Sequence, residues 1–109
     1  MLLDIPNGYR GYHTDKSIVF FYGSLSKHPQ SKLIRAAHEQ CVCLENEAAA
    51  MLRPGSVPSE VYGKLCACVD PAFRAGFRSG CRFFGHSIGL TMDESPVLAR
   101  GFDEPIRAG

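Results

Sequence analysis

Gly85-His86-Ser87-Ile88-Gly89-Leu90-Thr91-Met92-Asp93-Glu94-Ser95-Pro96 is the stretch on which the reading of this chain turns. Glycines on both sides of His86 leave room for backbone and ligand to approach closely, and a neutral imidazole is a common ligand for first-row metals. Upstream, Cys81-Arg82-Phe83-Phe84 predicts a strand that delivers the histidine into this glycine-rich segment. A lone histidine in such a turn is more often a hydrogen-bonded loop residue. What separates the two readings is whether the fold brings carboxylates near it.

Two aspartates near the N-terminus are the candidates. Leu2-Leu3-Asp4-Ile5 is short and apolar, Pro6-Asn7-Gly8 is strong turn chemistry, and the run from Gly11 through Tyr22 is rich in β-branched and aromatic residues. This predicts an antiparallel hairpin. A fold-back about Tyr9-Arg10 sets Asp4 directly opposite Asp15, where Cβ atoms lie about 4.5–5.5 Å apart and like charges repel. A cation or a shared proton relieves such a pair. A one-residue slip in register turns one carboxylate to the other face, and a solvated turn aspartate is the plain alternative.

Between the hairpin and the histidine lie two helical patterns. Leu33, Ala37, Cys41, Leu44, Ala48 and Met51 recur at spacings of three and four, which predicts an amphipathic helix from Ser31 to Leu52 closed by Pro54-Gly55. A second helix begins at Pro58, favoured at the first helical position, with Glu60 complementing the dipole, and stops at Asp70-Pro71. An irregular stretch with Gly76 and Gly80 follows, and the tail from Pro96 to Gly109 has no clear periodicity.

The bulk properties exclude several classes. A chain of 109 residues, 45% hydrophobic and 21% charged, suits one globular domain with a modest core. Twelve basic and eleven acidic side chains leave a formal charge of +1, so no broad basic surface exists for nucleic acid or an anionic membrane. The longest apolar run, Ile18 to Tyr22, is far short of the roughly 20 residues that cross a bilayer, and the N-terminus has no signal-peptide core. A soluble, cytoplasmic chain is expected. Cys41/Cys43 and Cys66/Cys68 each sit two apart in helical pattern, pointing to different faces, and are expected as reduced, mostly buried thiols.

The glycine-histidine stretch, continued by Val97-Leu98-Ala99-Arg100-Gly101-Phe102-Asp103-Glu104-Pro105, resembles the Gly-His-x-x-Gly-Leu and Glu-x-Pro region of the pita-bread metallopeptidases. That family comprises prolidases, Xaa-Pro aminopeptidases, methionine aminopeptidases and the metal-free creatinases. Gly11-Tyr12-x-x-Asp15 resembles its second metal aspartate, Asp4 falls where the first stands, and Met51-Leu52-Arg53-Pro54-Gly55 with Glu60-Val61-Tyr62 resembles the helix-turn-helix between them. The likeness runs over nearly the whole chain in the right order. It implies an α+β fold, part of a pita-bread architecture with a curved antiparallel sheet and helices on one face.

The resemblance also implies chemistry. In the family two aspartates, one histidine and two glutamates hold two divalent ions, which activate a shared water against a peptide carbonyl. Asp4, Asp15 and His86 carry over as metal ligands, and the metal is open among manganese, cobalt, zinc and iron. Asp93 stands where many members have a substrate-contacting histidine, so it is a candidate substrate-binding residue, with a surface turn carboxylate as the plain alternative. Ser17-Ile18 replaces the frequent Thr-Arg, which removes a usual partner of the metal ligands. His28 and His38 match no ligand position and are expected at the surface or half-buried; His13, alternating with Asp15, is a candidate for supporting the metal ligands.

By the same likeness, residues 1–109 form a partial domain, with the N-terminal half of the fold and the strands bearing the glutamate ligands missing. Weak or no metal binding, little catalysis and self-association through uncovered sheet edges are expected of it. The implied parent activity is that of a metal-dependent exopeptidase taking a peptide with proline near its N-terminus, working as a homo-oligomer such as a dimer. A non-peptidase relative acting as a binding module, or a creatinase-like hydrolase of small amides, is the alternative.

Overall fold

A computed structural model describes residues 1–80 and 82–108, with 78–80 described through their backbone. The chain opens as a ribbon of four short strands, β1 (Leu2–Asp4), β2 (Asn7–Tyr9), β3 (Tyr12–Thr14) and β4 (Ser17–Val19). A 3-10 turn at Leu25–Lys27 leads to α1 (Ser31–Met51), α2 (Pro58–Cys68) and the short α3 (Arg74–Gly80), and the chain finishes with β5 (Phe83–Ser87) and β6 (Glu94–Ala99). The strands pair antiparallel as β1 with β4, β2 with β3, and β5 with β6.

The ribbon folds back one residue later than the sequence predicts. Arg10 and Gly11 both adopt positive φ, 53° and 87°, the conformation of a two-residue primed turn whose twist matches the flanking strands. Tyr9 then faces Tyr12, Gly8 faces His13 and Asn7 faces Thr14. The Asn7-Gly8 pair, strong turn chemistry in isolation, lies inside a strand. The same register holds Leu3 against Ile18 and Asp4 against Ser17, so the expected Asp4–Asp15 opposition does not occur.

Helices α1 and α2 match the periodicity. Gly55, at φ 91°, makes the left-handed turn between them, and its amide donates to the Ile106 carbonyl at 2.8 Å. The amides of Ile106 and Ser59 in turn donate to the carbonyls of Ser56 and Phe102, so the C-terminal segment straps the helix junction. The core is small: Leu44 of α1, Val61 and Leu65 of α2, Val69 at its end and Leu98 of β6, with Ala48, Met51, Phe73, Phe77 and Phe84 packed around them. Two of the six residues of the expected α1 stripe, Leu33 at 53% exposure and Cys41, are uncovered. The cysteines depart from expectation as well: Cys41, Cys43 and Cys68 are exposed and Cys66 half-buried, all unpaired, while Cys81 lies outside the described residues.

Two further elements differ from the sequence reading. The Gly76/Gly80 stretch forms α3, anchored by Phe73 and Phe77 against the core, and tertiary packing there outweighs the cost of glycine in a helix. The tail contributes to β6, which pairs with β5 and packs on α2 and whose residues are mostly half-buried on both faces rather than alternating. Among the described residues no helix is long and apolar enough to cross a membrane. The ribbon contributes nothing to the core and leaves Leu2, Val19, Phe20 and Tyr22 exposed.

Candidate metal centre

His86 owes its orientation to an irregular strand pair. Phe83 pairs with Ala99 and His86 with Val97, so β5 spends one residue more than β6 between these points, as in a β-bulge. The extra residue re-aims the histidine. Its ring meets Phe83 edge-on with centroids 5.9 Å apart, whereas Phe84 turns into the core and stacks on Phe77 at 4.6 Å.

The imidazole has two distinct nitrogens. Nδ1 lies 3.1 Å from the Ser87 carbonyl, which only accepts, so Nδ1–H is the donor there. Nε2 faces two carboxylates, Asp93 Oδ1 at 3.1 Å and Asp15 Oδ2 at 3.6 Å. A neutral ring in this tautomer aims a lone pair at negative oxygens, an arrangement stable only with positive charge between them, whether a proton or a cation. The side chains of His86 and Asp15 are 17% and 28% exposed, sheltered enough for that charge to matter, while Asp93 at 76% sits at the mouth.

Asp15 reaches the histidine because the ribbon is stitched to the loop after β5. The His13 amide donates to the Gly89 carbonyl at 2.7 Å, bringing β3 alongside residue 89 and the following aspartate toward His86. His13 also carries a buried Nδ1 without a hydrogen-bond partner among the described residues. Of the other histidines, His28 packs edge-on against Phe21 and accepts the Gln30 amide, and His38 is exposed on α1.

Asp4 has a different partner. Ser17 Oγ donates to its Oδ1 at 2.9 Å across the β1–β4 pair. The serine thus retains a hydrogen bond to a candidate ligand, contrary to the expected loss of such a partner. No hydrogen bond or ion pair among the described residues joins Asp4 to Asp15 or His86, and no group of three or more His, Cys, Asp or Glu side chains there is arranged as a ready ion cage.

Glu94, quoted in the Glu-x-Pro stretch of the sequence but given no role there, closes the loop that carries Asp93. Its carboxylate accepts the Thr91 amide at 2.6 Å and the Thr91 hydroxyl at 3.1 Å. These bonds, the backbone one foremost, hold its pKa below the ordinary 4.5. A carboxylate with a depressed folded-state pKa stabilises the fold fully above its unfolded value and loses that contribution as pH falls through the folded one. In an NMR titration the Thr91 amide shift is expected to move with a midpoint below 4.5, and Glu94→Gln is expected to abolish the step. A midpoint at or above 4.5 contradicts the assigned bonds.

An α+β scaffold that presents an imidazole to carboxylates at the edge of a helix-backed sheet is peptidase-like in architecture. The model of metallopeptidase family M24 matches residues 1–109, and the chain belongs to that family, as an α+β portion of its pita-bread fold. No curated protein matches the sequence. Among solved structures, prolidase from Pyrococcus furiosus is similar with a TM-score of 0.73 at 18% identity, over 99% of this chain and 30% of that one. The chain therefore spans less than a third of that prolidase's length. Its antiparallel strands, in three two-stranded ladders among the described residues, accord with the expected α+β fold, and the His13–Gly89 contact ties the N-terminal ribbon to the β5–β6 pair.

Proposed function

We propose that this chain carries part of the metal site of an Xaa-Pro exopeptidase, with Asp4, Asp15 and His86 as ligands for divalent ions and Asp93 facing the substrate. The observation that supports this most directly is the orientation of His86. Metal-binding histidines ordinarily give one ring N–H to a carbonyl or carboxylate and present the other nitrogen to the ion, which is the state that Ser87 imposes here. The donor chemistry of two carboxylates and one imidazole suits manganese, cobalt, zinc or iron. When bound, such ions supply Lewis-acid polarisation of a peptide carbonyl and acidify water.

The chain's own residues have separable tasks in this reading. Ser87 fixes the tautomer of His86, Ser17 orients Asp4, and Asp15 brings the ribbon's charge to the imidazole. Asp93, exposed and 3.1 Å from Nε2, is placed to attract the free amino group of a short peptide. A peptide with proline near its N-terminus is the substrate we assign. Unpaired cysteines fit a cytoplasmic setting, and the exposed apolar ribbon fits association between copies.

The test is a Mn²⁺ titration of the chain followed by electron paramagnetic resonance, with hydrolysis of Xaa-Pro dipeptides measured in parallel. His86→Ala and Asp15→Asn are each expected to weaken ion binding at least about tenfold, Asp4→Asn somewhat less and Asp93→Asn least, with little hydrolysis by the chain or any of these variants. Mn²⁺ bound equally well by His86→Ala and the parent chain would sink the proposal.

A further inference from the structure

A cavity of about 880 Å³ opens on the helical side of the β5–β6 pair, and none of its lining residues belongs to the His86 cluster. Its floor is apolar and small: Ala67 and Val69 from α2 and its end, Phe77 from α3 and Ala99 from β6, with Tyr62 and Cys66 along one wall. Among the described residues three arginines line it, each from a different part of the chain. Arg74 opens α3, Arg82 precedes β5 and Arg100 follows β6.

The charge is one-sided. Among the described residues no aspartate or glutamate lines the cavity, and none of the three arginines forms an ion pair. This does not reflect a generally basic chain, since the formal net charge is +1. Arg74 has a partial structural explanation, because its Nε donates to the Val69 carbonyl at 3.0 Å and satisfies the end of α2. That bond holds the guanidinium in place while leaving its terminal nitrogens uncommitted. Among the described residues Arg82 and Arg100 have no such bond.

Three guanidinium groups around one concavity repel each other, and an anion with more than one charged oxygen relieves that repulsion while meeting the planar N–H forks. The volume lies within the range of small-molecule sites, about 300–1,000 Å³, which exceeds what a bare inorganic ion fills. The aromatic wall continues behind the floor, where Phe77 stacks on Phe84 and Phe84 meets Tyr62 edge-on at 5.6 Å. An apolar, flat body matches these surfaces better than a sugar or a peptide backbone.

We propose that this cavity binds a small organic anion, an apolar or aromatic body bearing a doubly charged oxyanion such as a phosphate monoester or a dicarboxylate. The site is separate from the proposed metal centre and needs no ion there. Its test is an NMR and calorimetric titration of the chain with phenyl phosphate, with phthalate as the dicarboxylate arm and inorganic phosphate and benzyl alcohol as single-feature controls. Phenyl phosphate or phthalate is expected to saturate a single site and to shift the amides of Ala67, Val69 and Phe77, and the tighter of the two identifies the oxyanion. Inorganic phosphate and benzyl alcohol are expected to bind at least about tenfold more weakly, because each supplies half of the recognition.

Arg82→Gln and Arg100→Gln are each expected to weaken binding about five- to tenfold, the effect of one charge-assisted contact. Both side chains are exposed, so neither change disturbs the core. Arg35→Gln on α1, outside the cavity, changes net charge equally and is expected to leave affinity unaltered. Three results would each overturn the proposal: equal weakening by Arg35→Gln, inorganic phosphate binding as tightly as both organic anions, or no saturable binding by either.

Discussion

Leu65→Ala is expected to lower the melting temperature of the chain by roughly 10–30 °C, or to leave it unfolded at room temperature. Leu65 is fully buried, at 0% exposure, in the middle of α2, where it joins Leu44 of α1 to Leu98 of β6. Truncating such a leucine costs about 2–5 kcal/mol in transfer and cavity terms. Small domains have about 5–15 kcal/mol in total, and each kcal/mol shifts the midpoint by about 4–8 °C at this size. The buried core among the described residues comprises five aliphatic side chains, so neighbours have little capacity to compensate. Leu33→Ala, at 53% exposure on the same face pattern of α1, is the matched control and is expected to change stability by no more than about 0.5 kcal/mol. Circular dichroism melts of the two variants decide the matter; equal losses would mean that the α1–α2–β6 cluster does not organise the fold.

The elements legible in the sequence were those whose signals are local and mutually consistent. The α1 stripe, the Pro54-Gly55 stop and Pro58 at a helix start all point the same way, and both helices form within a residue or two of the expected bounds. Register was not legible, because two turn signals competed. Asn7-Gly8 is strong turn chemistry and the expected fold-back lay at Tyr9-Arg10, yet the turn falls one residue further on, at Arg10-Gly11, where a non-glycine residue accepts positive φ and its guanidinium lies 5.3 Å over the Tyr9 ring. That displacement replaced Asp15 by Ser17 as the partner of Asp4. The β5 bulge was equally silent in the sequence, since nothing in Phe83-Phe84-Gly85-His86 says that three residues will span the distance of two.

The candidate site was legible in its parts and not in its joints. The glycines around His86 announced a position where a ligand or backbone comes close, and Gly89 bears this out by meeting both the His13 amide and the Glu94 carboxylate. The resemblance placed Asp93 near the substrate, but only coordinates reveal that it touches the free nitrogen of His86. The groups that orient the others, the Ser87 main-chain carbonyl, the Ser17 hydroxyl and the Glu94 carboxylate through Thr91, belong to ordinary residue types at strand ends. Such roles depend on three-dimensional proximity and leave no spacing to read.

Gly89→Ala is expected to detach the loop bearing Asp93 from the rest of the site without unfolding the chain. A Cβ at residue 89 would sit 2.6 Å from Glu94 Oε2 and 3.1 Å from its carboxyl carbon, so the carboxylate must move. Carboxylates are ordinarily free to swing away, but this one is held by the Thr91 amide and hydroxyl, and moving it forfeits both bonds. Thr91 amide exchange should accelerate about tenfold or more, the factor expected from losing a charge-assisted hydrogen bond. The alternative relief, a shift of the residue 89 backbone, strains the 2.7 Å bond from His13 and draws the ribbon carrying Asp15 away from His86. Either way the His86 ring resonances should change while the far-ultraviolet circular dichroism does not, because residue 89 lies outside the core. A double-mutant cycle isolates the cause. In a Glu94→Ala background the clash has no partner, so adding Gly89→Ala should change Thr91 exchange little. Additive effects in that cycle would show that Gly89 is required for backbone reasons alone and that the Glu94 clasp does not hold the loop.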